Sequence, residues 1–285
     1  MFKKVLQDVW AFDAEWVPDP DAGRLLYDLP PDMPDREVVQ EMWRMNGATV
    51  EMPRPFLKYA MSRLVSIAMV TRTKGPDGNV SLDLRVQPRN PENPDDCDEA
   101  TILSRFLESV GRRQPQLVGF NSSGSDLPIM IQRGIIKGIT AEGFCKRPDK
   151  PWEGYDYFSR ASDWNVDLMT AIGDWGKARP SLKEMAVLSG IPGKMGGFDG
   201  DSVAEAWLDG DIRKIAQYNQ HDAVTTYLVW LRIAHFAGFF DDVQYRDEQA
   251  LVRSMLEEKA QSPENQHLAE YVREWDRLKG MSGEG

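Results

Sequence analysis

The stretch that most constrains this chain is residues 11–16, where an apolar run gives way to two acidic residues. Residues 9–12 have the composition of a buried strand, and Asp13 and Glu15 follow where that strand should end. Because successive strand residues point to opposite faces of a sheet, the two carboxylates share one face, about 7 Å apart along the chain. They could hold a divalent cation together, or they could be an ordinary surface pair leading into a polar turn. The tripeptide Asp13-Ala14-Glu15 alone leaves both interpretations open.

The order of predicted elements indicates a single α/β domain. Segments with strand composition come first, at residues 5–15, 64–70 and 80–86. A further short strand is predicted at 116–120, and residues 165–169 could be a strand or the start of a helix. The later part is predicted to be mostly helical, with helices starting at Asp98 and covering about 127–137, 181–189, 202–208 and 211–235.

The connection from residue 17 to residue 58 is unusually long for a compact domain. Its opening, residues 16–23, has the proline and glycine content of a turn, and Asp35 is placed as the cap of a helix over 36–45. We therefore predict an insertion at 17–58 over the end of the first strand. It would form either a small satellite core or a lid or substrate platform.

Residues 244–285 are predicted to be a helical C-terminal extension of one or two charged helices, with a break at Ser262-Pro263. The main domain would then span residues 1–243 and include the insertion at 17–58. A charged helix face is most often simply solvated. A protein partner or self-association through these helices remains the alternative.

Composition limits the classes of function. The net charge of −11 argues against a broad non-specific surface for duplex nucleic acid, but it allows a nucleic-acid enzyme whose acidic site is offset by bound cations. The two cysteines lack metal-site spacing and are typical of reduced thiols in a cytoplasmic protein. No signal-peptide pattern and no membrane-spanning apolar run is present. We therefore expect a cytoplasmic protein with no membrane partner.

Two later clusters could supply partners for Asp13 and Glu15. Residues 119–128 lie between a strand and a helix, where α/β folds place ligands, and they include Asp126. Asp126 could equally be a helix cap. Tyr218 and Asp222 are spaced i and i+4, so on a helix they project to the same side. Read alone, they could be an exposed tyrosine and an exposed acid.

Taken together and in this order, the three clusters resemble the DEDD superfamily of 3′–5′ exonucleases. The motifs that carry the resemblance are Asp13-x-Glu15, Gly119-Phe120-Asn121-x4-Asp126-x-Pro128 and Tyr218-x3-Asp222. The tyrosine is similar to that of the DEDDy branch. Segments 9–15, 63–70, 117–130 and 181–232, with supporting residues at 190–194, look like predicted exonucleases similar to the proofreading domain of family-B DNA polymerases. The insertion and the tail lie outside the resemblance.

The resemblance implies an RNase H-like fold, a mixed sheet flanked by helices with the first three strands antiparallel. Four carboxylates would gather at one end of this sheet: Asp13, Glu15, Asp126 and Asp222. So many like charges in one cleft could not all stay ionised without cations, and hard oxygen ligands suit Mg²⁺ or Mn²⁺. Two ions about 3.5–4 Å apart would serve an in-line phosphoryl displacement.

The resemblance also assigns roles to individual residues. Asp13 would bridge both ions, Glu15 and Asp222 would complete the shell of one, and Asp126 would hold the other. Tyr218 would orient the attacking water, because a phenol is mostly protonated at neutral pH and is a poor base. The 3′-terminal nucleotide would be bound by Trp16, Phe120 and Asn121. Trp16 stands where a small residue is expected in this family.

The function predicted from the sequence is therefore a metal-dependent 3′–5′ exonuclease acting on single-stranded DNA or unpaired 3′ ends, with the exonuclease domain at 1–243. The acidic chain favours a narrow cleft for a few terminal nucleotides. An exoribonuclease is the alternative within this class. A non-catalytic nucleic-acid-binding scaffold of the same fold, or a module of a larger repair or polymerase assembly, are the alternatives outside it.

Overall fold

A five-stranded mixed sheet in the order β3-β2-β1-β4-β5 organises the computed structural model, which describes residues 2–150, 153–173, 178–193, 195, 198 and 200–282. The strands are β1 Asp8–Pro18, β2 Ser62–Lys74, β3 Val80–Gln87, β4 Gln116–Gly119 and β5 Asn165–Asp167. β1 and β3 both run antiparallel to β2, whereas β4 is parallel to β1 and to β5. The predicted α/β fold class, an RNase H-like mixed sheet with its first three strands antiparallel, is confirmed.

The helices flank both faces of this sheet. In chain order they are α1 Pro20–Tyr27, α2 Asp35–Met45, α3 Pro94–Cys97, α4 Glu99–Arg113, α5 Asp126–Ile136, α6 Glu142–Cys145, α7 Leu168–Ile172, α8 Leu182–Leu188, α9 Gly200–Leu208, α10 Ile212–Phe236, α11 Asp242–Lys259 and α12 His267–Ser282. Short 3₁₀ turns occur at Tyr59–Met61 and Pro263–Asn265. The ambiguous segment 165–169 contains both predicted features, the end of β5 and the start of α7.

The two faces of β1 pack against different helices, as its period-two sequence predicts. Val9 and Ala11 belong to the core that lies between the sheet and α10. Trp10 and Phe12 belong to the core formed with α4 and α5 on the other face. Asp13 follows in register with Val9 and Ala11, so its carboxylate lies on the α10 side.

Local capping signals explain where several helices begin. Asp98 accepts a hydrogen bond from the backbone of Thr101, and Asp211 accepts one from Lys214, as expected for N-caps. Ser181 and Glu184 form a capping box at the start of α8, the helix predicted at 181–189. Lys194, at the end of the supporting residues 190–194, lies outside the described residues.

The start of the insertion differs from the prediction. The segment 16–23 is not a turn, because β1 continues to Pro18 and α1 begins at Pro20. Asp19 caps α1 by accepting from the backbone of Asp21, and proline fits the first helical position, where no amide hydrogen is needed. Asp35 is the first residue of α2 and makes no cap bond, since its carboxylate pairs with Arg24 at 2.6 Å.

The insertion contains its own small core. Val38 and Met42 of α2 are fully buried against Leu57 and Met61, which confirms the satellite core predicted as one alternative. A buried ion-pair network joins this unit to the main domain, because Arg133 of α5 contacts Asp19 at 2.6 Å. The insertion is therefore held firmly beside the end of β1.

The C-terminal helices pack on the main domain. α11 and α12 contribute buried residues to the same core as α10: Val252, Met255, Leu256, Leu268, Tyr271, Val272 and Trp275. The predicted break at Ser262-Pro263 is present as the 3₁₀ turn between the two helices. Within the described part of the chain, every helix is too short or too polar to cross a bilayer.

Candidate active site

Two adjacent elements, β1 and α10, bring three of the predicted acidic residues together. Asp13 and Glu15 project from β1, and Asp222 projects from α10, with ligand oxygens that all lie within 4.8 Å of one another. Asp222 is buried, whereas Asp13 and Glu15 are partly exposed. The cluster therefore opens to solvent on one side, as a site for an incoming substrate requires.

The helix α10 presents Tyr218 on the same side as Asp222, because the two residues are one helical turn apart. Tyr218 is only 5% exposed, and its ring packs on that of Phe198 with centroids 5.0 Å apart. Its hydroxyl is hydrogen-bonded to the Asp222 carboxylate. Packing on Phe198 and the bond to Asp222 thus hold the phenol against the acidic cluster.

Asp126 approaches the cluster from the other side of β1. It is the first residue of α5, and its Oδ1 accepts a hydrogen bond from the backbone amide of Ala14 at 3.1 Å. Its Oδ2 accepts a bond from the Ser125 hydroxyl at 2.9 Å. Asp126 lies outside the compact group formed by Asp13, Glu15 and Asp222, but its charge is close enough to perturb Asp13.

Asn219 is a further residue of the site, which the sequence motifs did not indicate. This residue is fully buried on α10, and its side-chain amide donates to Asp13 Oδ2 at 2.7 Å. Its own Oδ1 accepts from the hydroxyl of Ser66 at 2.9 Å, in the middle of β2. The available signal was two polar residues in otherwise apolar surroundings, Ser66 within 64–70 and Asn219 on the face of the helix that points to the core.

The site carries an excess of negative charge. Burial, followed by the charges of Glu15, Asp126 and Asp222, raises the pKa of Asp13 well above its usual value, and the bond from Asn219 offsets this only in part. Burial also raises the pKa of Asp126 to about 6. Among the described residues, no lysine or arginine pairs with Asp13 or Asp126. Cations from solution would relieve this repulsion.

Burial is also the main cause of a raised pKa at Tyr218, and the charges of Asp222, Glu15 and Asp13 add to it. The phenol therefore keeps its proton throughout the neutral pH range. It can donate a hydrogen bond to an anionic oxygen and accept one from water. It cannot serve as a base near pH 7.

The loop before α5 is organised by backbone hydrogen bonds. Asn121 adopts a left-handed conformation with φ of 63°, and its carbonyl accepts from the amides of Gly124 and Ser125. Asp167, at the end of β5, accepts from the amides of Asn121 at 2.9 Å and Ser123 at 3.0 Å. Asp167 thus holds the loop that positions Asp126.

The three residues predicted to bind the terminal nucleotide lie in different places. Phe120 is partly buried against the core under α10, and Asn121 forms the turn just described. Trp16 lies on the face of β1 opposite Asp13, after a shift in the β1–β2 register, and packs against Tyr59. Phe120 and Asn121 follow β4 directly, whereas Trp16 packs toward Tyr59 just after the end of the insertion.

Comparison with known proteins adds a family match. Residues 54–275 match the family model of predicted 3′–5′ exonucleases related to the exonuclease domain of PolB. The matched range contains Asp126, Tyr218 and Asp222, whereas Asp13 and Glu15 precede it. No curated protein sequence matches the chain.

Among solved structures, the family B DNA polymerase from the hyperthermophilic archaeon Pyrobaculum calidifontis is similar to this chain, with 18% sequence identity and a TM-score of 0.47. The similarity covers 80% of this chain and 24% of the polymerase chain. The chain therefore spans about a quarter of the length of the polymerase that it matches.

Proposed function

We propose that this chain, which belongs to the family of predicted 3′–5′ exonucleases related to the exonuclease domain of PolB, is a metal-dependent 3′–5′ exonuclease. Its substrate would be single-stranded DNA or an unpaired 3′ end, from which it hydrolyses the terminal phosphodiester. One observation carries the proposal, namely that the ligand oxygens of Asp13, Glu15 and Asp222 converge within 4.8 Å.

The donor set suits two Mg²⁺ or Mn²⁺ ions. All its ligands are hard carboxylate oxygens. Burial and then the charges of Glu15, Asp126 and Asp222 raise the pKa of Asp13, and divalent cations would offset both effects. Asp13 would be shared by both ions, with Glu15 and Asp222 on one and Asp126 on the other. When bound, the ions supply Lewis-acid activation of water and stabilise the charge on the departing 3′ oxygen.

The protein's own groups position the reactants. Tyr218 keeps its proton, so its hydroxyl would orient the attacking water beside Asp222 without removing a proton from it. Asn219 holds Asp13 through the bond to Oδ2, and the Ala14 amide holds Asp126. These bonds fix the carboxylates before the substrate arrives, which lowers the reorganisation needed in the transition state.

The terminal nucleotide would lie over the loop after β4. Phe120 and Asn121 begin that loop, and Trp16 follows Glu15 directly, so all three are proposed contacts of the last nucleotide. With a net charge of −11, the chain favours a short cleft over a broad duplex surface. An RNA strand remains the alternative substrate, because the contacts that would distinguish a 2′ hydroxyl depend on the bound sugar.

We assign the exonuclease domain to residues 1–243, with the insertion at 17–58, and residues 244–285 to a helical extension. The extension packs its apolar face on α10, so a protein partner or a second copy would have to use the opposite, charged face. Truncation for a sizing experiment would remove core residues as well as this face.

The experiment is release of mononucleotides from a single DNA strand labelled at its 3′ end, with and without Mn²⁺ or Mg²⁺. Asp13→Ala and Asp222→Ala should abolish the release, and the matched RNA strand tests the sugar preference. If Asp13→Ala digests the strand as fast as the wild type, the assignment is wrong. If the wild type is inactive and Mn²⁺ does not change its melting temperature, the alternative of a non-catalytic binding scaffold is favoured.

A further inference from the structure

A row of three aromatic rings begins at Trp16, the residue after Glu15, on the face of β1 opposite Asp13. Trp16 and Tyr59 meet edge to face, with centroids 5.8 Å apart and planes at 89°. Tyr59 and Phe56 meet in the same way, at 5.4 Å and 90°. Phe56 is 69% exposed, and the other two rings are partly exposed. The row therefore leads from the end of β1 outward to solvent.

The row is connected to the proposed site at its inner end. Trp16 follows Glu15 in β1, and the Tyr59 hydroxyl donates to the carbonyl of Gly124 at 2.8 Å. Gly124 lies in the loop that ends at Asp126. Burial, followed by the charge of Asp126, raises the pKa of Tyr59. The inner end of the row therefore lies against the loop that carries Asp126.

The surroundings of the row suit a polyanion with flat bases. Trp16 and Phe56 line a shallow groove that also contains Trp43 and Arg54. The guanidinium of Arg54 lies over the Trp43 ring, 5.3 Å from its centroid, and pairs with Glu205. Lys58, between Phe56 and Tyr59 in sequence, is exposed. Among its described lining residues the groove therefore contains one guanidinium, which is paired with Glu205, within a chain of net negative charge.

We propose that Phe56 and Tyr59, which continue the row outward from Trp16, form a stacking platform for the unpaired bases that precede the 3′-terminal nucleotide. This inference rests on the proposed function and adds a substrate-binding surface, to which the insertion contributes Phe56. A single exposed phenylalanine is common on protein surfaces. Here the exposed ring belongs to a continuous row anchored at the loop of Asp126, and bases of a single strand stack on such rings regardless of sequence.

The platform also provides a physical reason for a preference for single strands. In a duplex, both faces of each base are covered by neighbouring base pairs, so no face is open to Phe56. Near an unpaired 3′ end, the second and third bases are free to stack. The platform would therefore bind a strand only after its end has separated.

The test removes the Phe56 ring from the protein and, separately, the bases proposed to stack on it from the DNA strand. The probes are a fluorescent single DNA strand of about ten nucleotides, within the site size of such proteins, and the same strand with abasic second and third positions from its 3′ end. Binding is measured by anisotropy in EDTA, and hydrolysis of both strands is measured separately in Mn²⁺. The proteins are the wild type, Phe56→Ala, Phe56→Trp and the control Phe236→Ala.

Phe236 is a matched control because it is also an exposed phenylalanine, at 79%, and lies at the far end of α10. We expect Phe56→Ala to weaken binding of the intact strand by about fivefold to a hundredfold, the usual range for loss of one stacked base. It should change binding of the abasic strand little. Phe56→Trp should restore affinity, and Phe236→Ala should bind both strands as the wild type does.

These measurements distinguish failure of the stacking platform from failure of the exonuclease assignment. Equal affinity of wild type and Phe56→Ala for the intact strand, or an equal loss on both strands, overturns the platform even if hydrolysis is normal. Base-dependent binding that needs Phe56, without hydrolysis of either strand in Mn²⁺, overturns the exonuclease assignment and leaves the platform in place. A wild type that binds neither strand overturns the platform as well.

Discussion

The side-chain amide of Asn219 donates a hydrogen bond of 2.7 Å to the Asp13 carboxylate, joining residues that are 206 positions apart. A second bond runs from the Ser66 hydroxyl to Asn219 Oδ1 at 2.9 Å, so the amide is oriented from both ends. A group that orients a metal-ligating side chain in this way contributes to metal affinity without touching the metal itself.

We therefore expect Asn219→Ala to weaken Mn²⁺ binding and activity by about 10- to 100-fold, the usual effect of losing such a supporting bond. Without the amide, Asp13 is free to rotate and its pKa rises further, since the bond from Asn219 is what lowers it. The measurement is the Mn²⁺ concentration that produces half of the thermal stabilisation. Asn79→Ala, in an exposed turn, is the control. Unchanged Mn²⁺ dependence would contradict a positioning role.

Replacing Asp13 by Asn should stabilise the metal-free protein while abolishing activity. The pKa of Asp13 is raised in the folded state, so its ionisation above the unfolded value favours unfolding. The gain from Asp13→Asn should therefore be absent near pH 4, grow as the pH rises, and reach at least about 1 kcal/mol at neutral pH.

Urea unfolding in EDTA at both pH values measures this gain in stability. The hydrogen bond from Asn219 can be kept in Asp13→Asn, because the side-chain oxygen of the variant still accepts. In Mn²⁺ the order should reverse, because the wild type then gains binding energy that the variant lacks. Glu108→Gln changes an exposed acid on α4 and should show neither effect. If the metal-free Asp13→Asn variant were less stable than the wild type at neutral pH, the ionised Asp13 carboxylate would not be destabilising the folded state.

Tyr218→Phe should reduce the rate of hydrolysis by about 10²- to 10³-fold, the usual effect of removing one preorganised hydrogen-bond group. Because the raised pKa keeps this phenol protonated, the loss should be the same across the pH range from about 6 to 9. The stabilisation by Mn²⁺ should remain, since the ring still packs on Phe198. A loss that grows with pH would instead show that the tyrosine acts as a base.

The C-terminal extension should prove inseparable from the main domain, because Glu248 of α11 is 4% exposed and contacts Arg72 of β2 at 2.9 Å. It also accepts from the Tyr227 hydroxyl at 2.7 Å. Glu248→Ala would leave Arg72 buried without its partner, and we expect a loss of about 3–5 kcal/mol in the free energy of unfolding.

Glu257→Ala is the matched control on the same helix, because Glu257 pairs with Arg253 at the surface. Its removal should cost less than about 1 kcal/mol. Denaturation by urea measures both variants. Equal losses would mean that burial of the Arg72 pair contributes little.

Local chemistry made much of the fold predictable from the sequence. At Ser181 and at Asp211, the capping residue lies within a few residues of the apolar helix pattern that follows it. Both helices begin as expected. The acids at Asp13 and Glu15 lie on one face because a strand has a period of two.

The features that were missed depend on residues distant in sequence. The run 16–23 contains turn-forming residues, but Asp19 pairs with Arg133, which lies 114 positions away, and this contact fixes the start of α1. Asn219 lies in the interior of α10, where its sequence position alone gives no sign of a special function. Its contact with Asp13 is what makes it part of the site. Phe56 lies near the end of the insertion and Trp16 just before its start, so neither residue alone indicates an aromatic row.

The contact between α10 and α12 should weaken in acid. The ring of His267 donates from Nε2 to the Gln220 side chain at 2.8 Å, and that of His221 donates to the His267 carbonyl at 3.2 Å. Burial, followed by the charge of His221, lowers the pKa of His267 to about 3. Burial lowers the pKa of His221 to about 4.

Both histidines therefore bind protons more weakly in the folded state than in the unfolded state, whose pKa is about 6.5. Stability should be fully present above that value and should fall as the pH drops from 6.5 toward the folded pKa values. His267→Gln cannot bind this proton, so the stability difference between wild type and variant should shift in favour of the variant as the pH falls from about 8 to about 5. Urea unfolding at both values measures the difference. A difference independent of pH would mean that the His267 proton does not control the contact between α10 and α12.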